Sequence, residues 1–125
     1  MKILVVDYSE TMRRIVRDTL KLNGHTDIVE AKDSLSALAV LDDSIEFIIA
    51  DYEIDTWVLY PELPESLGIF EKVKNQDKYI PLLVITYRDN HEEAVSKFGR
   101  EACLMKPFTM TKLKEVMEVL LNKGA

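Results

Sequence analysis

Four short apolar runs in this 125-residue chain each stop at a polar residue able to do chemistry. Ile3-Leu4-Val5-Val6 leads into Asp7, and Phe47-Ile48-Ile49-Ala50 into Asp51. Leu82-Leu83-Val84-Ile85 leads into Thr86, and Cys103-Leu104-Met105 into Lys106-Pro107. Runs of this length, separated by helical patterns, read as parallel strands buried on both faces. Parallel strands share one direction, so their C-terminal ends gather along one edge of the sheet. Open α/β folds place their sites at that edge. The pattern therefore predicts two carboxylates, a hydroxyl and an ammonium brought together there.

The intervening segments fit this reading. A helix is expected from Ser9, with Met12, Ile15, Val16, Thr19 and Leu20 on one stripe, ending at Asn23-Gly24. Ile28 and Val29 mark a short strand, and Asp33 or Ser34 can cap a helix that turns Leu35, Leu38 and Leu41 inward. An irregular stretch from Tyr52 to Glu65 precedes a helix around Ser66–Lys74. Asn90 is expected to cap a helix through Phe98 that stops at Gly99. The last helix carries Leu113, Val116, Met117, Leu120 and Leu121. Strand and helix alternate five times without an internal repeat or a linker. That order implies one domain over residues 1–125, a parallel sheet with helices on both faces.

Bulk properties exclude several functions. A net charge of −6 argues against a nucleic-acid surface. Arg13, Arg14 and Arg17 cluster, and read as a solvated basic face or a docking patch for an acidic partner. The single cysteine, Cys103, cannot form an internal disulfide, which suits a reducing, cytoplasmic location. His25 and His91 stand at turn or helix-start positions without further ligands at metal spacing, so zinc is not indicated. The apolar opening stops at Asp7, short of a signal peptide, and no run reaches membrane-spanning length.

The chemistry of the sheet edge is more specific. Asp7 and Asp51 end the two strands expected to lie centrally and side by side. Adjacent carboxylates repel, and a bound cation keeps such a pair ionised. An all-oxygen donor set with waters suits Mg²⁺. Lys106 adds a positive charge and Thr86 a hydroxyl donor. A carboxylate beside Mg²⁺, a lysine and a hydroxyl forms a cradle for a phosphoryl group.

The segments KILVVDYSETMRRIV, FIIAD, LLVIT and MKPFT, in this order, resemble the response-regulator receiver domain, in particular its stand-alone, CheY-like chemotaxis form. The resemblance runs from Met1 to the last helix. It implies a flavodoxin-like, doubly wound (βα)5 fold whose five-stranded parallel sheet has the order 2-1-3-4-5. It also implies Asp51 as phosphoacceptor, Asp7 in the Mg²⁺ site, Thr86 as the switch hydroxyl and Lys106 as the phosphoryl partner. The implied partners are a histidine kinase or phosphotransfer domain, and a target protein docked on the last two helices and last strand. Without a DNA-binding output domain, output is expected through protein contacts, not through an enzymatic activity.

The chain also departs from the pattern it resembles. Where two adjacent acids normally follow the first strand, the second place holds Tyr8, which removes a charge and weakens the expected Mg²⁺ affinity. Tyr8 either covers the pocket or lends its hydroxyl as a weak ligand. Glu53, two residues beyond Asp51, either restores the lost carboxylate as a metal ligand or points into solvent. The usual short loop is replaced by a longer one from Ile54 to Leu67 containing Trp57, Val58, Leu59 and Tyr60: a lid, a binding surface, or a loop packed on its own domain. Tyr87 stands where a small residue usually follows the threonine, and Cys103 where the fifth strand usually carries an aromatic ring. Signalling by movement of that ring is therefore not expected here.

Three other readings remain alongside. A degenerate receiver would serve as a phosphorylation-independent adaptor. Asp7-Tyr8-Ser9 resembles the nucleophile motif of haloacid-dehalogenase-type phosphatases, but Ser9 replaces the second acid that motif requires. A flavin-binding role fits the fold class, but the bulky Tyr8, Glu10, Met12 and Arg13 do not make a phosphate cradle of small residues.

Overall fold

The computed structural model describes residues 1–55 and 68–123. Five strands, β1 (Lys2–Val6), β2 (Ile28–Ala31), β3 (Ile45–Asp51), β4 (Leu82–Thr86) and β5 (Cys103–Met105), form a parallel sheet in the order β2-β1-β3-β4-β5. The helices α1 (Glu10–Leu22), α2 (Ser34–Val40), α3 (Ile69–Lys74), α4 (His91–Phe98) and α5 (Met110–Lys123) connect and follow them. This is the flavodoxin-like, doubly wound fold expected from the sequence.

The strands are apolar throughout because both faces are covered. Ile3, Val5, Phe47, Ile49, Leu83, Ile85 and Leu104 pack on one face against Val16 and Leu20 of α1 and the inward side of α5. Leu4, Val6, Ile48 and Ala50 pack on the other against Ala37 of α2 and Ile69 and Val73 of α3. Val84 and Cys103 meet Ala94 of α4 on that same second face. Alternate residues of each strand thus enter different cores. Burying each large aliphatic side chain contributes roughly 1.5–3 kcal/mol.

Helix ends follow the sequence signals closely, with three differences. The Ser9 hydroxyl accepts from the Met12 N–H and Asp33 from the Ser36 N–H, so both act as caps. Asn90 precedes α4, but its side chain makes no capping bond. Ile15 (46% exposed) and Leu35 (49%) face outward, contrary to expectation. Their helices need to bury only a narrow stripe, which Val16, Leu20 and Ala37 already fill. Beyond Asp51 the chain turns directly into a 3₁₀ helix, Tyr52–Asp55, whose Ile54 is fully buried. The rest of the long loop, with Trp57, lies outside the described residues, and so does the choice between a lid, a binding surface and a loop packed on its own domain.

Candidate functional site at the carboxyl edge of the sheet

Register places the four polar residues at one edge. Asp51 ends β3 and pairs with Ile85, while Val6, just before Asp7, pairs with Ala50. Thr86 ends β4 opposite Met105, and the Lys106 N–H donates to the Thr86 carbonyl at 2.8 Å. Asp7, Asp51 and Thr86 are buried. The Lys106 ammonium lies 3.4 Å from Asp51 Oδ1 and 3.7 Å from Asp7 Oδ2, so it sits between the carboxylates. The Lys106–Pro107 peptide bond is cis.

Burial and neighbouring charge compete at both Asp51 and Lys106. Burial raises the Asp51 carboxyl above its ordinary value; Lys106 opposes the shift and the Asp7 charge adds to it. Burial works to lower Lys106, but Asp51 and Asp7 outweigh it and hold the ammonium above its ordinary range. The Glu53 N–H donates to the Asp51 carboxylate. Asp7 Oδ1 accepts from the Ser9 N–H at 2.9 Å, whereas buried Asp7 Oδ2 has no hydrogen-bond partner among the described residues. A buried oxygen left without a donor beside a second carboxylate fits a hard cation such as Mg²⁺. The set is sparse, since no three His, Cys, Asp or Glu side chains converge on a metal-sized space among the described residues.

Thr86 is held by a residue to which the sequence reading gave no role. Its hydroxyl lies 2.7 Å from Nδ1 of His91, the first residue of α4, and 3.5 Å from the Leu104 carbonyl. The only sequence signal was a histidine five residues beyond the threonine at a helix start.

Known proteins share this architecture along the whole chain. Residues 3–118 match the family model for the response regulator receiver domain. The chain belongs to the response regulator receiver family. The chemotaxis protein CheY homolog of Campylobacter jejuni is 34% identical over 131 aligned positions, which span 100% of this chain and 95% of that protein. Chemotaxis protein CheY1 of Helicobacter pylori is 37% identical, with 98% of each chain covered. Among solved structures, the receiver domain of NtrX from Brucella abortus superposes with a TM-score of 0.76 at 31% identity, covering 97% of this chain and 98% of that one. Chemotaxis response regulator CheY4 of Vibrio cholerae gives 0.71 at 27% identity, covering 95% and 97%.

Within the receiver frame, the departures that fall on described residues each have a definite place. The Tyr8 hydroxyl donates to the Ile54 carbonyl at 2.8 Å, and its ring packs beside the core that contains Ile54. Glu53 is exposed, and its carboxylate accepts from Asn90 Nδ2 at 3.1 Å. The structure therefore does not bring Glu53 together with Asp7 and Asp51; Asn90 holds it toward the β4–α4 turn. Asn90 Oδ1 accepts from the Tyr87 N–H at 2.8 Å, which explains why this side chain caps no helix. The half-exposed Tyr87 ring lies 4.3 Å from the Lys106 ammonium and covers it as a cation–π partner. Cys103 is buried, and burial pushes its thiol up to about 11, which makes it a packing residue and not a nucleophile. The rings near it come instead from Tyr52, Phe70 and Phe98, the last packed edge-on against each of the other two.

The arginine cluster is not an open basic face. Arg13 and Arg17 both pair with Glu30 of β2, and Arg14 pairs with Glu10. Arg13 Nη1 also donates to the Asp7 carbonyl at 2.7 Å, bracing the turn that carries the carboxylate. In this setting the Asp7-Tyr8-Ser9 likeness to a phosphatase motif is a local one.

Proposed function

We propose that this receiver is a single-domain response regulator of a two-component or phosphorelay pathway, accepting a phosphoryl group on Asp51. The observation that carries this reading is the Lys106 ammonium set between buried Asp51 and Asp7. In the transfer, an Asp51 carboxylate oxygen forms the new bond to phosphorus. The bond from phosphorus to the donor imidazole breaks, and its electron pair stays on that nitrogen. Negative charge accumulates at Asp51, where Lys106 offsets it, and Thr86, at the end of the neighbouring strand, supplies a hydroxyl that could be recruited. Receivers of this family generally bind Mg²⁺ in this pocket. Here Asp7 and Asp51 are the residues that would hold it, where it would neutralise phosphoryl oxygens.

The donor in this reading is a histidine kinase or its phosphotransfer domain. Output runs through a protein target docked on α4, β5 and α5, where Met105, Met110 and Val119 remain exposed. The acidic balance and the pairing of Arg13 and Arg17 with Glu30 favour a protein target over nucleic acid. No helix among the described residues is long and apolar enough to cross a membrane. The lone thiol, buried at Cys103, suits a cytoplasmic setting.

A second reading, a phosphorylation-independent adaptor, is favoured by one pair of contacts. Tyr8 occupies the second acid's place with its hydroxyl committed to Ile54, and Tyr87 lies over Lys106. Acetyl phosphate separates the two. Phosphoacceptance predicts a mass gain of one phosphoryl group that Asp51→Asn abolishes, with a Trp57 fluorescence response to Mg²⁺ and beryllofluoride. No mass gain and no response would leave the adaptor reading.

A further inference from the structure

The Thr86 side chain is fully buried, and its hydroxyl is engaged with the first residue of α4. A hydroxyl carries one proton and can donate one hydrogen bond at a time. Two polar atoms lie within reach, His91 Nδ1 at 2.7 Å and the Leu104 carbonyl at 3.5 Å. The shorter distance is that of a full hydrogen bond and the longer one is marginal. With the imidazole proton on Nε2 the hydroxyl donates to Nδ1; with the proton on Nδ1 the ring donates to the hydroxyl instead.

We propose that His91 carries its proton on Nε2 and is a positioning residue for phosphorylation: its Nδ1 accepts from the Thr86 hydroxyl and holds it toward α4, and a phosphoryl group on Asp51 must break that bond to recruit the hydroxyl. This rests on Asp51 being the phosphoacceptor. The Thr86 proton can go to the phosphoryl oxygen or to His91, but not both, so occupation of Asp51 and this one tie between the α4 N-terminus and β4 are mutually exclusive. The consequence is a route from the site to α4 that does not use an aromatic ring on β5. Cys103 provides no such ring, so the hydrogen bond does the coupling instead. Coupling of this kind is reciprocal: a partner that draws α4 away from Thr86 strengthens phosphoryl binding by the same factor.

Long-range nitrogen–proton NMR of the histidine rings tests the inference on the intact chain, with Mg²⁺ and beryllofluoride as the phosphoryl probe. At rest, His91 should show the Nε2–H tautomer with Nδ1 as a hydrogen-bonded acceptor. Adding the probe should shift Nδ1 toward an unbonded acceptor, while the Asp51 and Lys106 amides report occupancy separately. His91→Phe should bind the probe roughly fivefold more tightly, the scale of one neutral hydrogen bond. His91→Asn, whose amide oxygen can take the place of Nδ1, should return to near wild-type affinity. Occupancy with an unmoved Nδ1, an Nδ1–H tautomer at rest, or wild-type affinity in His91→Phe would each overturn the lock and leave the phosphoacceptor reading standing. Absence of any amide response at Asp51 and Lys106 would remove that reading, and the lock with it.

Discussion

The hydroxyl of Tyr8, just past β1, donates to the carbonyl oxygen of Ile54, just past β3, at 2.8 Å. This bond joins two turns flanking the carboxylate pair, in the place where a second acid is usual in the family. Tyr8 thus exchanges a charge in the pocket for a tie between the turns. Tyr8→Phe keeps the ring against the Ile54 core and removes only the donor, which should cost about 1 kcal/mol in urea unfolding. Tyr8→Asp should lose that tie and gain an oxygen ligand near Asp7, strengthening Mg²⁺ binding roughly tenfold, equivalent to about 1.4 kcal/mol. Fluorescence titration with Mg²⁺ reads this directly, and unchanged affinity would mean that the new carboxylate does not reach the cation.

Asp51 gives a pH dependence of unusual sign for a carboxylate. Burial, the largest influence, raises it above its ordinary 3.8, with Lys106 opposing and Asp7 adding. The folded state therefore holds this proton more tightly than the unfolded chain does. Asp51 contributes stability below pH 3.8, and that contribution is lost as pH climbs from 3.8 through the raised folded value. At neutral pH the ionised carboxylate is a net cost in the absence of metal, so Asp51→Asn should raise Tm at pH 7, with the gain shrinking in acid. A lower Tm at pH 7 would show that pairing with Lys106 outweighs burial. Lys106 works in the opposite range, where its stabilisation is complete below its ordinary 10.5 and is lost as pH rises through the higher folded value.

Tyr87 lies against the same lysine, with its ring 4.3 Å from the ammonium and half open to solvent. A cation–π contact at such a site is worth about 0.5–1 kcal/mol. Removing the ring with Tyr87→Ala should cost that much in stability while opening the approach to Lys106 and Asp51. Acetyl phosphate should then label the variant several-fold faster than the wild type, read by intact mass over time. Equal labelling rates would show that the ring neither shields the lysine nor limits access.

The sequence is a good guide to the fold because burial on both faces leaves strands little choice of residue. Runs such as Phe47–Ala50 and Leu82–Ile85 are apolar at every position, and their polar ends then fall together by geometry alone. Which of two adjacent apolar residues on a helix turns inward is a finer matter. Ile15 and Leu35 have the right spacing but lose the inward place to Val16 and Ala37, because the neighbouring elements fill the space. The remaining site features depend on partners far apart in the chain. Glu53 meets Asn90 across 37 positions and Tyr8 meets Ile54 across 46, separations that no local pattern records. His91 is only five positions from Thr86, yet its ring comes back onto the hydroxyl through a turn held by the Tyr87 N–H on Asn90, a bond that residue types alone do not announce.

Gly99 offers a test of how firmly the far end of α4 is fixed. Its φ of 92° and ψ of 148° fall in a region that is open essentially to glycine alone. A methyl group added there would meet Glu101 no closer than 3.6 Å, an ordinary contact, so crowding is not the difficulty. The backbone conformation is. Gly99→Ala should destabilise the domain by about 1–3 kcal/mol in urea unfolding. Asn tolerates the left-handed helical region but not this one, so Gly99→Asn should be no milder than the alanine variant. A near-neutral Gly99→Ala would mean that the turn from α4 into Arg100–Ala102 adapts readily, and that α4 is held mainly at its other end, by His91 on Thr86.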